Sequence, residues 1–146
     1  AFNEDGAALI GRVDCDVLYM DPPYNQRQYC TNYHVLETIA RYDHPKVYGV
    51  TGLRPHAHQK SDFCRKHHAL PALEAMVRRT SARYVFLSYN SEGLMARDDI
   101  FDTLGQFGRV EMVARAHNRF RADVDRENRV YKANRVEEYL FCLTKR

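Results

Sequence analysis

The stretch DVLYMDPPYNQRQY, Asp16 to Tyr29, sets an acid, two adjacent prolines and an aromatic directly behind an apolar run. Val17-Leu18-Tyr19-Met20 is apolar throughout, the pattern of a strand buried on both faces, as in parallel sheets. Asp21-Pro22-Pro23-Tyr24 is then the loop at its carboxyl end. Proline has no N–H and a fixed φ, so the pair makes a stiff corner that holds neighbouring carbonyls in one direction. The corner offers the Asp21 carboxylate and the Pro22 carbonyl as two acceptors at fixed separation, with Tyr24 as an apolar plate beside them. Two acceptors suit the two N–H donors of an exocyclic amino group on a planar ring. A ring stacked on Tyr24 gains about 1–3 kcal/mol, the value for a base on an aromatic. Drawing both hydrogens toward acceptors localises the nitrogen lone pair, which can then attack an electrophile. The plainer reading is an ordinary strand-ending turn.

Outward from that corner the elements alternate. Asn32 is expected to cap a helix through about Tyr42, with Leu36, Ile39 and Ala40 on its inner face and His44-Pro45 ending it. After a loop containing Gly49, Gly52 and Pro55, Ser61 opens a second helix to about Thr80. Its buried stripe is Phe63, Leu70, Leu73, Met76 and Val77, with a kink or a break expected at Pro71. Tyr84 to Tyr89 reads as a second buried strand. Leu94 to Phe107 reads as a third helix, with Ile100, Phe101 and Leu104 inward and Gly108 stopping it. Val110–Ala116 and Val136–Leu143 are two further strands. The order β-α-α-β-α-β-β predicts an open α/β sheet that closes on a terminal hairpin, with ligands at the carboxyl ends of its strands.

Composition bounds the class. With 146 residues, 45% hydrophobic and 12% aromatic, the chain has the size of one domain and the material for one core. No apolar run reaches the roughly 20 residues that span a bilayer, and no signal-peptide pattern opens the chain, so a soluble, cytoplasmic setting without membrane partners is expected. Cys15, Cys30, Cys64 and Cys142 form no C-x-x-C pair, which fits free thiols in a reducing compartment. The net charge is only +3. Its distribution is uneven: Arg115, Arg119, Arg121, Arg126, Arg129, Lys132 and Arg135 face only three acids in the same span, and Arg54–His68 adds Arg54, Lys60, Arg65 and Lys66. Such segments either meet phosphate or form solvated faces.

Asp-Pro-Pro-Tyr behind an apolar strand resembles the catalytic motif of amino-methyltransferases that use S-adenosyl-L-methionine. The wider run DPPYNQRQYCTNYHVLETIARYD, with GVTGLRP, KSDFCRKHHA, YVFLSYNSEGLM and VEEYLFCLTK, resembles the Dam-like class of adenine-specific DNA methyltransferases over essentially the whole chain. That resemblance implies a Rossmann-like methyltransferase sheet ending in an antiparallel hairpin, and methyl transfer to N6 of an adenine rotated out of duplex DNA. It implies that Asp21 and the Pro22 carbonyl hold the amino group and that Tyr24 stacks on the base. Pro23, Asn25, Arg27 and Tyr29 would line the substrate side, and Arg119 and Arg121, between the last two strands, would lie along the DNA backbone. Asp5, with Asp21, would contact the cofactor. The implied reaction is a direct displacement without covalent enzyme intermediate, in which position and a polar cradle supply the catalysis.

The seven glycines include no G-x-G pair, the turn with which this family holds its cofactor, and no separate target-recognition region is visible. The chain is therefore expected to be the carboxyl-terminal, incomplete part of a methyltransferase sheet. It would be a fragment or a subunit that needs an amino-terminal half or second chain to bind cofactor well and to act. Plainer readings stand beside several features. Arg27, Tyr29 and Tyr33 buttress the loop or touch substrate; Ser88-Tyr89-Asn90 caps the third helix or adjoins the base; Arg119 and Arg121 belong to a solvated hairpin or a DNA contact. His56, His58, His67 and His68 lack the ligand spacing of a metal site. Glu37 and Glu92 read as helix-surface residues. Two rival functions remain open at this point: adenine methylation in RNA, and a non-catalytic remnant that only binds nucleic acid or a partner.

Overall fold

The structure is a computed structural model and describes residues 1–118 and 135–146. A short helix α1 (Gly6–Leu9) is capped by Asp5, whose Oδ1 accepts the Ala8 N–H at 3.0 Å. Strand β1 (Val17–Met20) leads through the Pro-Pro corner to α2 (Tyr29–Asn32) and α3 (His34–Arg41). Two 3-10 turns at Ala57–Gln59 and Asp62–Cys64 precede α4 (Ala69–Arg79), which leads into β2 (Tyr84–Asn90). Helix α5 (Arg97–Gly105), β3 (Gly108–Asn118) and β4 (Arg135–Lys145) complete the described chain.

The four strands form one open sheet in the order β1-β2-β4-β3. β1 runs parallel to β2 with Met20 opposite Leu87; β4 is antiparallel to both β2 and β3. The terminal hairpin and the mixed α/β class follow the sequence reading. The core lies on one face of this sheet. Leu18, Val85, Leu143 and Val110 are in register, as are Met20, Leu87, Phe141 and Met112, and these rows pack with Leu73 and Val77 of α4 and Ile100 and Leu104 of α5. At the far edge Gly108 is required, since a Cβ there would stand 2.0 Å from the Thr144 carbonyl oxygen. Lys145 Nζ donates to the Val77 and Thr80 carbonyls at 2.9 and 2.8 Å, tying the last strand to the carboxyl end of α4.

Several local expectations are corrected. β1 is not buried on both faces: Val17 is 53% and Tyr19 60% exposed, because the opposite sheet face carries no packed helix among the described residues and β1 is an edge strand. Asn32 does not cap α3 but ends α2; α3 begins after Tyr33 without a side-chain cap. Leu36 and Ile39 are 63% and 66% exposed, so the apolar stripe of α3 faces out and not in. Ser61 caps only the 3-10 turn at 62–64, through its hydroxyl to the Phe63 N–H. Pro71 falls in the first turn of α4, where its missing N–H costs nothing, so the helix runs unbroken. α5 ends at Gly105, Gly108 belongs to β3, and Phe101 is partly exposed. No helix among the described residues is long and apolar enough to cross a membrane.

Candidate active site

Because β1 and β2 are parallel, their carboxyl ends open on the same edge of the sheet, and the loops that follow them meet there. The Tyr24 carbonyl accepts the Leu94 N–H at 2.9 Å and the Tyr89 hydroxyl at 3.4 Å, and the Tyr89 oxygen in turn accepts the Met95 N–H at 3.2 Å. Pro22 is buried and Pro23 partly so, while Asp21 is exposed. The corner is thus anchored by its prolines and by Tyr24's carbonyl, and the acid stands free at its rim. Among the described residues Asp21 forms no salt bridge.

One side of this corner is a half-open cavity of about 520 Å³, within the range of small-molecule sites. Asp21, Pro22 and Pro23 form one wall, Asp5 and Ile10 another, and Lys60 to Phe63 a third, with Leu18 and Met76 beneath. Asp5 and Asp21, sixteen positions apart in the chain, therefore border the same space. Its walls combine apolar surface for a planar heterocycle with carboxylates and a lysine for hydroxyl, amino and carboxylate groups.

Tyr24, Asn25, Arg27 and Tyr29 do not line that cavity. Tyr24 is 40% exposed. Asn25 Oδ1 accepts the Arg27 N–H at 2.8 Å, closing the turn after the corner, and the Arg27 carbonyl accepts from the Cys64 thiol at 3.3 Å. Tyr29 meets Tyr33 edge-on at 5.7 Å, and burial, followed by the Asp21 carboxylate, pushes the Tyr29 phenol above its usual value. Arg119 and Arg121 lie outside the described residues. All four cysteines are free.

Residues not singled out from the sequence complete the site. Gln28 pairs with the backbone of Ser61 in both directions, accepting its N–H at 2.7 Å and donating to its carbonyl at 3.2 Å, and so locks the loop after β1 to the third cavity wall. Lys60 and Asp62 enter the cavity beside it. No local pattern flags a glutamine 33 positions from its partner. Ser88-Tyr89-Asn90 does not cap α5, whose amino end at Ala96 has no side-chain cap. Asn90 Oδ1 instead accepts the Glu92 N–H at 3.1 Å. A second cavity of about 500 Å³ lies between Gln26, Lys66, Asn90, Ser91, Gly93–Arg97 and Tyr139.

Fold and site together define an α/β protein whose ligand cavity lies at the carboxyl edge of its parallel strands, beside an acidic Pro-Pro corner. A family model, the D12 class N6 adenine-specific DNA methyltransferase, matches residues 1–103, and the chain belongs to that family. It is 43% identical over 144 residues to the type II methyltransferase M.NlaIII of Neisseria lactamica, covering 99% of this chain and 42% of that protein. To the type II methyltransferase M.CviAII of Paramecium bursaria Chlorella virus 1 it is 42% identical, over 96% of this chain and 40% of the relative. To M.FokI of Planomicrobium okeanokoites it is 40% identical, over 99% of this chain and 22% of the relative. The chain thus spans less than half the length of these curated relatives. No solved structure matches it.

Proposed function

We propose that this chain carries the target-base and part of the cofactor-binding machinery of a site-specific DNA adenine N6 methyltransferase, on the carboxyl-terminal strands of a Rossmann-like sheet whose other half is supplied by further polypeptide. The observation that carries the reading is the joint placement of Asp21 and Asp5 on one cavity at the carboxyl edge of β1, with the Pro-Pro corner pinned behind it. S-adenosyl-L-methionine, when bound, supplies a methyl group already activated by its sulfonium. Asp5, Asp21 and Lys60 would hold its polar groups, and Leu18, Ile10 and Phe63 its apolar surface.

The chain's own task is position. Asp21 and the Pro22 carbonyl accept the two hydrogens of the adenine amino group, which turns the nitrogen lone pair out of conjugation and toward the methyl donor. Tyr24, carried on the same stiff turn, stacks on the flipped ring and keeps its plane fixed. Since the corner is already rigid, no reorganisation accompanies the charge that develops on nitrogen, and holding reactants in this way accounts for much of such a barrier. The amine proton leaves after attack, with the Asp21 carboxylate as its nearest acceptor. The substrate would be an adenine within a specific site in duplex DNA.

The test is to incubate the complete gene product carrying residues 1–146 with S-adenosyl-L-methionine and adenine-containing duplex, digest the DNA and measure modified nucleosides by mass spectrometry. N6-methyladenine in DNA is expected, with residues 1–146 alone inactive until mixed with a polypeptide bearing a glycine-rich cofactor turn. Methyl groups found only on cytosine, or on no base of the DNA, would overturn it.

A further inference from the structure

We infer that Tyr89 is a positioning residue for the catalytic corner: its hydroxyl, held between the Met95 N–H and the Tyr24 carbonyl, sets where the stacking face of Tyr24 stands relative to Asp21. The inference rests on the functional reading above and extends it to a residue that touches neither substrate nor cofactor. Three observations carry it. Tyr89 is only 3% exposed, so its hydroxyl is not spent on solvent and must find its partners within the protein. It finds them on two different loops: it accepts from Met95 at 3.2 Å and donates to Tyr24 at 3.4 Å, joining the segment after β2 to the segment after β1. The room for its ring is made by Gly93, where a Cβ would stand 2.1 Å from Tyr89 Cε1.

The direction of the hydrogen bonds is what makes the tyrosine specific. The Met95 N–H needs an acceptor, and the Tyr24 carbonyl, already taking the Leu94 N–H at 2.9 Å, accepts a second donor. Only a hydroxyl serves both at once, accepting with a lone pair and donating its proton. Burial pushes the Tyr89 phenol above its usual value, so the proton it donates stays in place through neutral pH. With the hydroxyl gone, the Leu94–Tyr24 bond is the hydrogen bond that remains between these two turns among the described residues, and the corner can pivot about it. A displacement of about 1 Å at the reacting atoms is enough to cost on the order of a hundredfold in rate.

Tyr89→Phe tests this, since it keeps the ring in the core and removes only the oxygen. In residues 1–146, amide exchange read by mass spectrometry should rise about tenfold or more in the segments 19–29 and 94–96 and stay unchanged in β3 and β4. Tyr139→Phe, which removes the hydroxyl of another buried tyrosine, one that donates to Glu137 at 3.0 Å, should leave both loop segments at wild-type protection. In the complete gene product, single-turnover methyl transfer by Tyr89→Phe should fall about 10- to 100-fold while KM for DNA changes less than twofold. Gly93→Ala, which drives the ring away, should show the same split. Wild-type exchange in segment 19–29 of Tyr89→Phe, or a loss confined to KM, overturns the inference. A wild-type gene product that leaves adenine untouched sinks the functional reading separately, and with it the catalytic consequence, while exchange still decides whether the clamp exists.

Discussion

At the scale of single residues, Asp21 stands apart from the contacts that hold its own loop, as the role proposed for it requires. Pro22 is buried and Tyr24 is held through its carbonyl, so removing the Asp21 carboxylate should leave the turn in place and, on the proposed function, remove only the chemistry. Asp21→Ala in the complete gene product should therefore lower single-turnover transfer by at least about a hundredfold, as loss of a preorganised polar group does, with an unchanged thermal midpoint. Tyr24→Phe should retain most activity because stacking uses the ring, whereas Tyr24→Ala should weaken binding of a duplex with an extrahelical target base by about 5- to 150-fold, the equivalent of about 1–3 kcal/mol. Transfer rates and fluorescence of 2-aminopurine at the target position separate the two effects. A different residue pair governs behaviour in acid. Arg54, 7% exposed, forks onto both carboxylate oxygens of Asp43 at 3.2 and 2.6 Å and reaches Thr38 on α3 at 3.2 Å. Its hydrogen bonds hold the Asp43 carboxyl below the usual carboxylate range. A lowered folded-state value stabilises the protein above the ordinary carboxylate value and is lost as pH falls through the lowered one. Melting curves should show wild type losing stability below about pH 4, with Asp43→Asn less stable at neutral pH and flatter in that acid window.

Elements show where local pattern and tertiary context part. α4 has the stripe its sequence announces: Leu73 and Val77 are fully buried against Val85, Leu87 and Phe141. α3 has as clear a stripe in Leu36 and Ile39, yet no residue of α3 is buried. Its amphipathic spacing is real, but a pattern states only that a face is apolar and not that something covers it. Leu36→Lys should accordingly change the stability of residues 1–146 by no more than about 0.5 kcal/mol, the range of open surface positions, while Leu73→Ala should cost about 2–5 kcal/mol. Chemical denaturation of both variants checks this, and a large loss in Leu36→Lys would mean that α3 packs inward after all. The segment that leaves α3 is similarly set by contacts at a distance. Tyr42 and His44 both take positive φ, 49° and 46°, a conformation that L side chains hold only when the surroundings enforce it. The residue between them is Asp43, fixed by Arg54 from the far side of the turn at Gly49–Gly52. The basic appearance of Arg54–His68 is reduced by the same pair, since Arg54 is a buried structural cation and not surface charge.

At the scale of the whole molecule, a sheet covered on one face among the described residues makes their stability depend on a single core layer. Phe141 is completely buried at the centre of that layer, between the rows of β2 and β3. Phe141→Ala should cost about 3–5 kcal/mol, a large part of the roughly 5–15 kcal/mol available to a domain of this size, and urea titration followed by circular dichroism should find it largely unfolded at 37 °C. The strand behind the Pro-Pro corner, the mixed α/β class and the antiparallel pairing of the last two strands were legible in the amino-acid order, whereas the short helix α1 and the separation of α2 from α3 were not. The legible features depend on patterns a few residues long: apolar runs and the stiffness of proline. Family membership was legible for the same reason, because its motifs are contiguous. Tertiary structure alone decided which faces are covered, that Asp5 and Asp21 share one cavity, that Gln28 closes on Ser61, and that Tyr89 grips the turn carrying Tyr24. Each joins residues separated by 16 to 65 positions, and no local preference encodes a distance that comes into being only when two parallel strands bring their carboxyl ends to the same edge.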